Sequence, residues 1–105
     1  MKKGSKTKMK LWIDGVRPAP YGYVWVKTIN DAILQIEMHE QNNIPFLSIS
    51  LDHDAGDYGS PDYIKLFNWL EETGRNYPIH IHSMNILGVE NMRRIIERNG
   101  WTEVR

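Results

Sequence analysis

Cysteine is missing from the 105-residue chain, so it can form neither a disulfide framework nor a thiolate metal site. That fits a reducing cytoplasm. Net charge is missing too: Lys plus Arg (13) equals Asp plus Glu (13), leaving no global drive toward nucleic acid or an anionic membrane. Recognition of an anion must therefore come from local placement. No apolar run approaches the roughly 20 residues that span a bilayer. Met1 to Lys10 holds five lysines with no apolar stretch behind them, which excludes a secretory signal. Residues 1–8 read as a solvated basic tail or, alternatively, a phosphate-attracting arm. Residues 9–105 then have length for one hydrophobic core and not two. Repeats and low-complexity segments are absent.

What is present alternates between two periods. Met9 to Asp14, Tyr23 to Lys27, Phe46 to Leu51 and Ile79 to His82 read as strands, and Trp101 to Val104 as a short fifth. Thr28 with Asp31 forms a capping box ahead of Ala32, Ile33 and Ile36, a helical stripe running to about Asn42. Ser60-Pro61 opens a second helix with Tyr63, Phe67 and Leu70 on one side and Gly74 as its stop. A third carries Val89, Met92 and Ile96, with Arg93, Arg94 and Arg98 toward its negative end and Gly100 closing it. His39, near the end of the first helix, complements that helix's dipole. The alternation predicts an α/β fold of four or five mostly parallel strands with about three helices mainly on one face.

Only about eight residues, two of them proline, separate the first two strands, where a parallel return normally uses a helix. Eight extended residues reach roughly 26 Å, and a five-residue strand is about 17 Å long, so an extended crossover is feasible. Right-handed crossovers then send the three helices to one face. Strand parity turns Leu11, Ile13, Val24, Val26, Leu47, Ile49, Leu51, Ile79 and Ile81 toward them. Trp12, Asp14, Tyr23, Trp25, Phe46, Ser48, Ser50, Asp52, His80 and His82 take the other face, which no helix remains to cover. Two readings compete for it: a homodimer interface, or a platform where a base stacks on Trp or Tyr and a phosphate meets His and Ser.

Two stretches carry the chemistry: Leu51-Asp52-His53-Asp54 and His80-Ile81-His82-Ser83. Each is a short apolar strand running into acid, base and hydroxyl groups. As parallel neighbours they would open at the sheet edge where α/β folds bind ligands. The order Leu11-Trp12-Ile13-Asp14, Val24-Trp25-Val26-Lys27-Thr28 then a helix, Leu47 to Asp54 and Ile79 to Ser83 resembles a receiver domain without its first helix. More closely, over about residues 9–99, the set Ile13-Asp14-Gly15-Val16-Arg17-Pro18, Ser50-Leu51-Asp52-His53-Asp54 and His80-Ile81-His82-Ser83-Met84-Asn85 resembles the cyclic-phosphate-processing receiver-like domains. The resemblance implies a flavodoxin-like sheet and a role in processing cyclic phosphates or cyclic-phosphate ends of nucleic acids. Asp52 matches the receiver phosphoacceptor position and Ser83 the small hydroxyl after the fourth strand. The acidic pair that holds magnesium is reduced to Asp14, and the lysine after the fifth strand has no match. Both departures argue against phosphorelay.

Opening a cyclic phosphate needs a base, an acid and donors for the phosphoryl oxygens. Histidine suits both proton roles. His82 with His53 or His80 is the candidate acid–base pair, with Asp52 or Asp54 orienting an imidazole. Arg17, Ser83 and Asn85 are candidates to hold phosphate oxygens, Asp14 and Trp25 to line the substrate site, and Tyr58 to close over it. No metal is required on this reading; if a divalent ion is bound, Asp14, Asp52 and His82 are the expected ligands. The expected function is a cytoplasmic phosphoesterase acting on an RNA cyclic-phosphate end or a cyclic nucleotide or oligonucleotide messenger, including counter-defence if the chain is phage-encoded. The alternatives are a non-catalytic binder that sequesters such a messenger, or a degenerate receiver that dimerises through its uncovered face. Each residue also has a plain structural reading: His80 as a polar group on an open face, His53 as a strand-end cap, Asp54 and Tyr58 as turn residues, Arg17 as solvated.

Overall fold

A computed structural model describes residues 8–52, 63–83 and 85–105. The chain runs β1 (Lys10–Ile13), β2 (Tyr23–Val26), α1 (Ile29–Gln41), β3 (Ile49–Leu51), α2 (Tyr63–Thr73), β4 (Ile79–Ile81), α3 (Ile86–Asn99) and β5 (Glu103–Val104). The strands form one sheet in the order β2-β1-β3-β4-β5, and every adjacent pair is parallel. This is the flavodoxin-like receiver arrangement. β1 and β2 pair from Lys10↔Tyr23 to Ile13↔Val26 with only residues 14–22 between them, so the extended, proline-containing crossover is the one that forms.

Local chemistry sets the helix ends. The Asp31 N–H donates to the Thr28 hydroxyl (3.1 Å), and α1 buries Ile29, Ala32 and Ile36. α2 buries Tyr63, Leu66, Phe67 and Leu70, the i, i+3, i+4, i+7 spacing of one face. The predicted Ser60-Pro61 start and the basic segment Met1 to Thr7 lie outside the described residues. α3 is capped by Asn85, whose side chain accepts from the Gly88 N–H (2.9 Å), and it ends at Gly100 in the left-handed region (φ 69°).

The core lies on one side of the sheet. Leu11, Ile13, Val26, Ile49, Leu51 and Ile79 share that side with Ala32, Ile36, Leu66, Leu70, Met92 and Ile96, all buried. α1 packs beside α2 and α2 beside α3. Trp12, Tyr23, Trp25, Ser50 and His80 have the opposite parity, and no helix among the described residues covers them. The chain end of α1 is tied down separately: Arg75 donates three hydrogen bonds to Glu40 and lies 4.3 Å over the Trp69 ring, and the Tyr77 hydroxyl donates to the same carboxylate (2.5 Å).

Two expectations fail at the start of β3. The strand begins at Ile49 rather than Phe46, and parity inverts before it: Phe46 is buried in the core while Leu47 is 47% exposed. The reason is a competing contact. The chain leaves α1 through Asn43 (φ 62°), and the Phe46 ring stacks on His39 (4.0 Å between centroids) instead of standing on the open face. His39, in the last turn of α1 as expected, also bonds to the Ile44 carbonyl (3.2 Å).

None of the described helices is long and apolar enough to cross a membrane. Leu66 is fully buried at the centre of the helical layer. Leu66→Ala should lower unfolding free energy by about 2–5 kcal/mol, read from urea denaturation midpoints.

Candidate functional site

The ladders bring three chain segments to one edge. Ile13, Leu51 and Ile81 are register partners, and the next backbone N–H groups continue the pairing: Asp14 to Val26 O, Asp52 to Ile13 O and His82 to Leu51 O. Asp14, Asp52 and His82 therefore stand side by side at the C-terminal ends of β1, β3 and β4. Two residues back, Trp12, Ser50 and His80 are also register partners. These six positions form two rows across the uncovered face.

β3 is the low point of that face because Ser50 and Ser48 are small and buried. Strands are about 4.8 Å apart, so rings from β1 and β4, on either side of β3, can meet above a serine. They do: Trp12 and His82 stack with centroids 3.7 Å apart and planes 3° from parallel. Tyr23 meets Trp12 edge-on at 5.5 Å, and Trp12 Nε1–H donates to the Arg17 carbonyl (2.9 Å). Trp25 Nε1–H donates to the Asp14 carbonyl (2.8 Å), while 39% of the residue stays exposed. Lys27 lies over the Trp25 ring and Lys10 over Tyr23, at 5.0 and 5.4 Å.

Beneath the rings runs a polar chain. Asp14, only 1% exposed, accepts from the Val16 and Arg17 N–H groups at one carboxylate oxygen (2.8 and 2.9 Å). Its other oxygen lies 3.2 Å from His82 Nε2 and 3.5 Å from Arg17 Nε. His82 Nδ1 is 2.7 Å from Ser50 Oγ, and His80 Nδ1 is 2.8 Å from the same oxygen. No described group bonds to His80 Nε2, and the two imidazoles lie 6.3 Å apart.

The electrostatics favour a charged acid and a neutral inner histidine. Burial alone would raise the Asp14 carboxyl, but the Arg17 and Val16 N–H groups, with His82, outweigh it and hold it below the ordinary carboxylate range. Burial dominates at His82 and pushes that ring below its ordinary value, against the pull of Asp14 and Asp52.

Several sequence candidates converge here and others do not. Asp14, Arg17, Asp52, His80 and His82 gather at one edge, with Trp25 beside them. Asn85 spends its side-chain oxygen capping α3, and Ser83 accepts from the Asn85 N–H (3.2 Å), so both begin the helix bordering the site. His53, Asp54 and Tyr58 lie outside the described residues. Among the described residues no group of three or more His, Asp or Glu converges as metal ligands would. In the conditional set Asp14, Asp52 and His82, both Asp14 oxygens already have N–H partners. Sequence reasoning missed Ser50 as the shared partner of both histidines. The signal was present: Ser50 and His80 each stand two residues before Asp52 and His82 on adjoining strands.

Comparison with known families agrees with this architecture. The model of the Cyclic-phosphate processing Receiver domain matches residues 9–98, and the chain belongs to that family. No curated protein matches it, and no solved structure does.

Linkage fixes the sign of one pH effect. Between the lowered folded value of His82 and the ordinary 6.5, the unfolded chain binds more protons, so stability rises with pH. Asp14 has the same sign at lower pH, its contribution being lost below its ordinary 3.8 as pH falls through the folded value. Denaturation midpoints should therefore fall on acidification from neutrality toward about pH 5, less steeply in His82→Gln than in wild type. Equal slopes in urea titrations of the two proteins would contradict this.

Proposed function

We propose that the protein is a phosphoesterase that opens a cyclic phosphodiester in a nucleotide, with the reaction centred on His80 at the uncovered face. The observation that carries this reading is the pair of imidazoles sharing Ser50, one ring held against Asp14 and the other with no described partner at Nε2, on the face that also carries Tyr23 and Trp25. The family description, cyclic-phosphate processing, supplies the substrate chemistry.

In this reading His80 Nε2 takes a proton from water. The water oxygen forms a bond to phosphorus, one ring P–O bond breaks, and the departing sugar oxygen receives a proton from a second acid. His53, directly after Asp52 in the chain, is the candidate for that acid, with Asp52 or Asp54 to orient it. His82 has both ring nitrogens engaged and a ring face covered by Trp12, so its role is to position rather than to touch substrate. Arg17, whose side chain is half exposed beside Asp14, supplies donors to phosphoryl oxygens. Trp25 and Tyr23, each with a lysine near its ring, give a base somewhere to stack. Both an RNA cyclic-phosphate end and a cyclic messenger fit this chemistry.

A second reading draws on exposed apolar surface at both ends of the same face, Trp25 on β2 and Val104 on β5. It pairs two copies through the face and leaves the site at the seam.

A panel of cyclic mono-, di- and trinucleotides and cyclic-phosphate-ended RNA, followed by mass spectrometry, tests the first reading. At least one linear product should appear, and His80→Gln should lower its rate by about 10²–10⁴-fold. Intact ligands at stoichiometric protein would reject the enzyme, and tight binding without product would establish a sequestering protein instead. Sedimentation of wild type and Trp25→Ala tests the second reading: a dimer that the substitution disperses supports it, and a monomeric wild type removes it.

A further inference from the structure

Two histidines aim the same nitrogen, Nδ1, at one hydroxyl, and a hydroxyl has a single proton to give. We infer that Ser50 is a positioning residue that donates to His82 and accepts from His80, locking His80 as the Nδ1–H tautomer with its Nε2 lone pair toward the open face. The inference rests on the reading of His80 as the base, and it names the residue that makes His80 one.

The polarity follows from the buried end of the chain outward. Asp14 is ionised and accepts at both oxygens, so His82 Nε2, 3.2 Å from it, carries a hydrogen. Burial keeps His82 neutral, so its Nδ1 is a lone pair. The neighbour 2.7 Å away, Ser50 Oγ, must donate to it. That commits the hydroxyl proton. Ser50 can then only accept from His80 Nδ1 at 2.8 Å, and a neutral imidazole with its hydrogen on Nδ1 has none on Nε2. Ser50 is 0% exposed, so bulk water does not compete for either bond. Were His82 doubly protonated, both Ser50 bonds would reverse and His80 would present Nε2–H, a donor instead of a base. The two polarities therefore leave opposite signatures on one ring.

Long-range proton–nitrogen correlation spectra of the intact, ¹⁵N-labelled protein near neutral pH read those signatures directly. The four histidines are few enough to assign by single substitution. In wild type, His80 should show a protonated Nδ1 and an unprotonated Nε2. Ser50→Ala should move His80 toward the Nε2–H form, and Ser50→Thr, which keeps the hydroxyl, should restore the wild-type pattern. A wild-type His80 that is chiefly Nε2–H, or a His80 tautomer unchanged in Ser50→Ala, overturns the inference. The wild-type spectrum decides even if Ser50→Ala fails to fold. Because the readout is spectroscopic, a locked Nδ1–H tautomer in a protein that turns over no cyclic phosphate would reject the enzyme and leave the role of Ser50 standing.

Discussion

Ser50 lies on the strand between β1 and β4, and its small size decides what can happen above it. A leucine or an aromatic residue there would fill the space in which the Trp12 and His82 rings stack and would separate Asp14 from His82. The hydroxyl also does what an alanine of the same size would not: it bonds to two ring nitrogens, of which the more deeply placed one, on His82, would cost about 1–3 kcal/mol if left unsatisfied. Volume and hydrogen-bonding capacity are thus set by one side chain. The stacked rings in turn shield the Asp14–His82 contact from solvent, which strengthens it.

The zero net charge constrains how the site works. No field from the chain as a whole gathers anions, so the positive groups that matter are those near the open face: Arg17 beside Asp14, Lys27 over Trp25 and Lys10 over Tyr23. Asp14 uses two backbone N–H groups of its own turn to hold its charge, leaving its other oxygen for His82 and Arg17. The turn that replaces a helix between β1 and β2 therefore has an electrostatic role as well as a topological one. It supplies donors to the acid that anchors the polar chain.

Much of this was legible in the sequence because it depends on short-range rules. Thr28-x-x-Asp31, Gly100 and the stripe Tyr63, Phe67 and Leu70 act within one helical turn or one face, and the structure honours each. Alternation within strands placed Trp12, His80 and His82 on one face and Leu11 and Ile49 on the other. What the sequence could not show was which partner each polar group takes across strands. Asp52 or Asp54 is the sequence's candidate to orient an imidazole, whereas Asp52 acts on the His82 ring only through its charge and Asp14 makes the contact. Register aligns Cα atoms, but side-chain reach across a small residue decides the bond. Phe46 failed for a related reason: alternation presumes a strand already begun, and stacking on His39 outcompeted it.

Losing a helix changes where a receiver-like sheet can do chemistry. With helices on both faces, the only accessible ground is the strand edge, where loops meet. Here no helix among the described residues covers the face, so on the proposed reading a ligand lies on the sheet over Trp25 and Tyr23 while reaching the edge residues Arg17 and Asp52. A flat aromatic surface next to a histidine suits a planar base joined to a phosphate better than it suits free phosphate, because stacking contributes about 1–3 kcal/mol per base without any net charge on the protein. The absent helix and the absent charge thus point the same way. On the proposed reading, binding draws on stacking and a few placed cations, and both lie on the face that the missing helix would have covered.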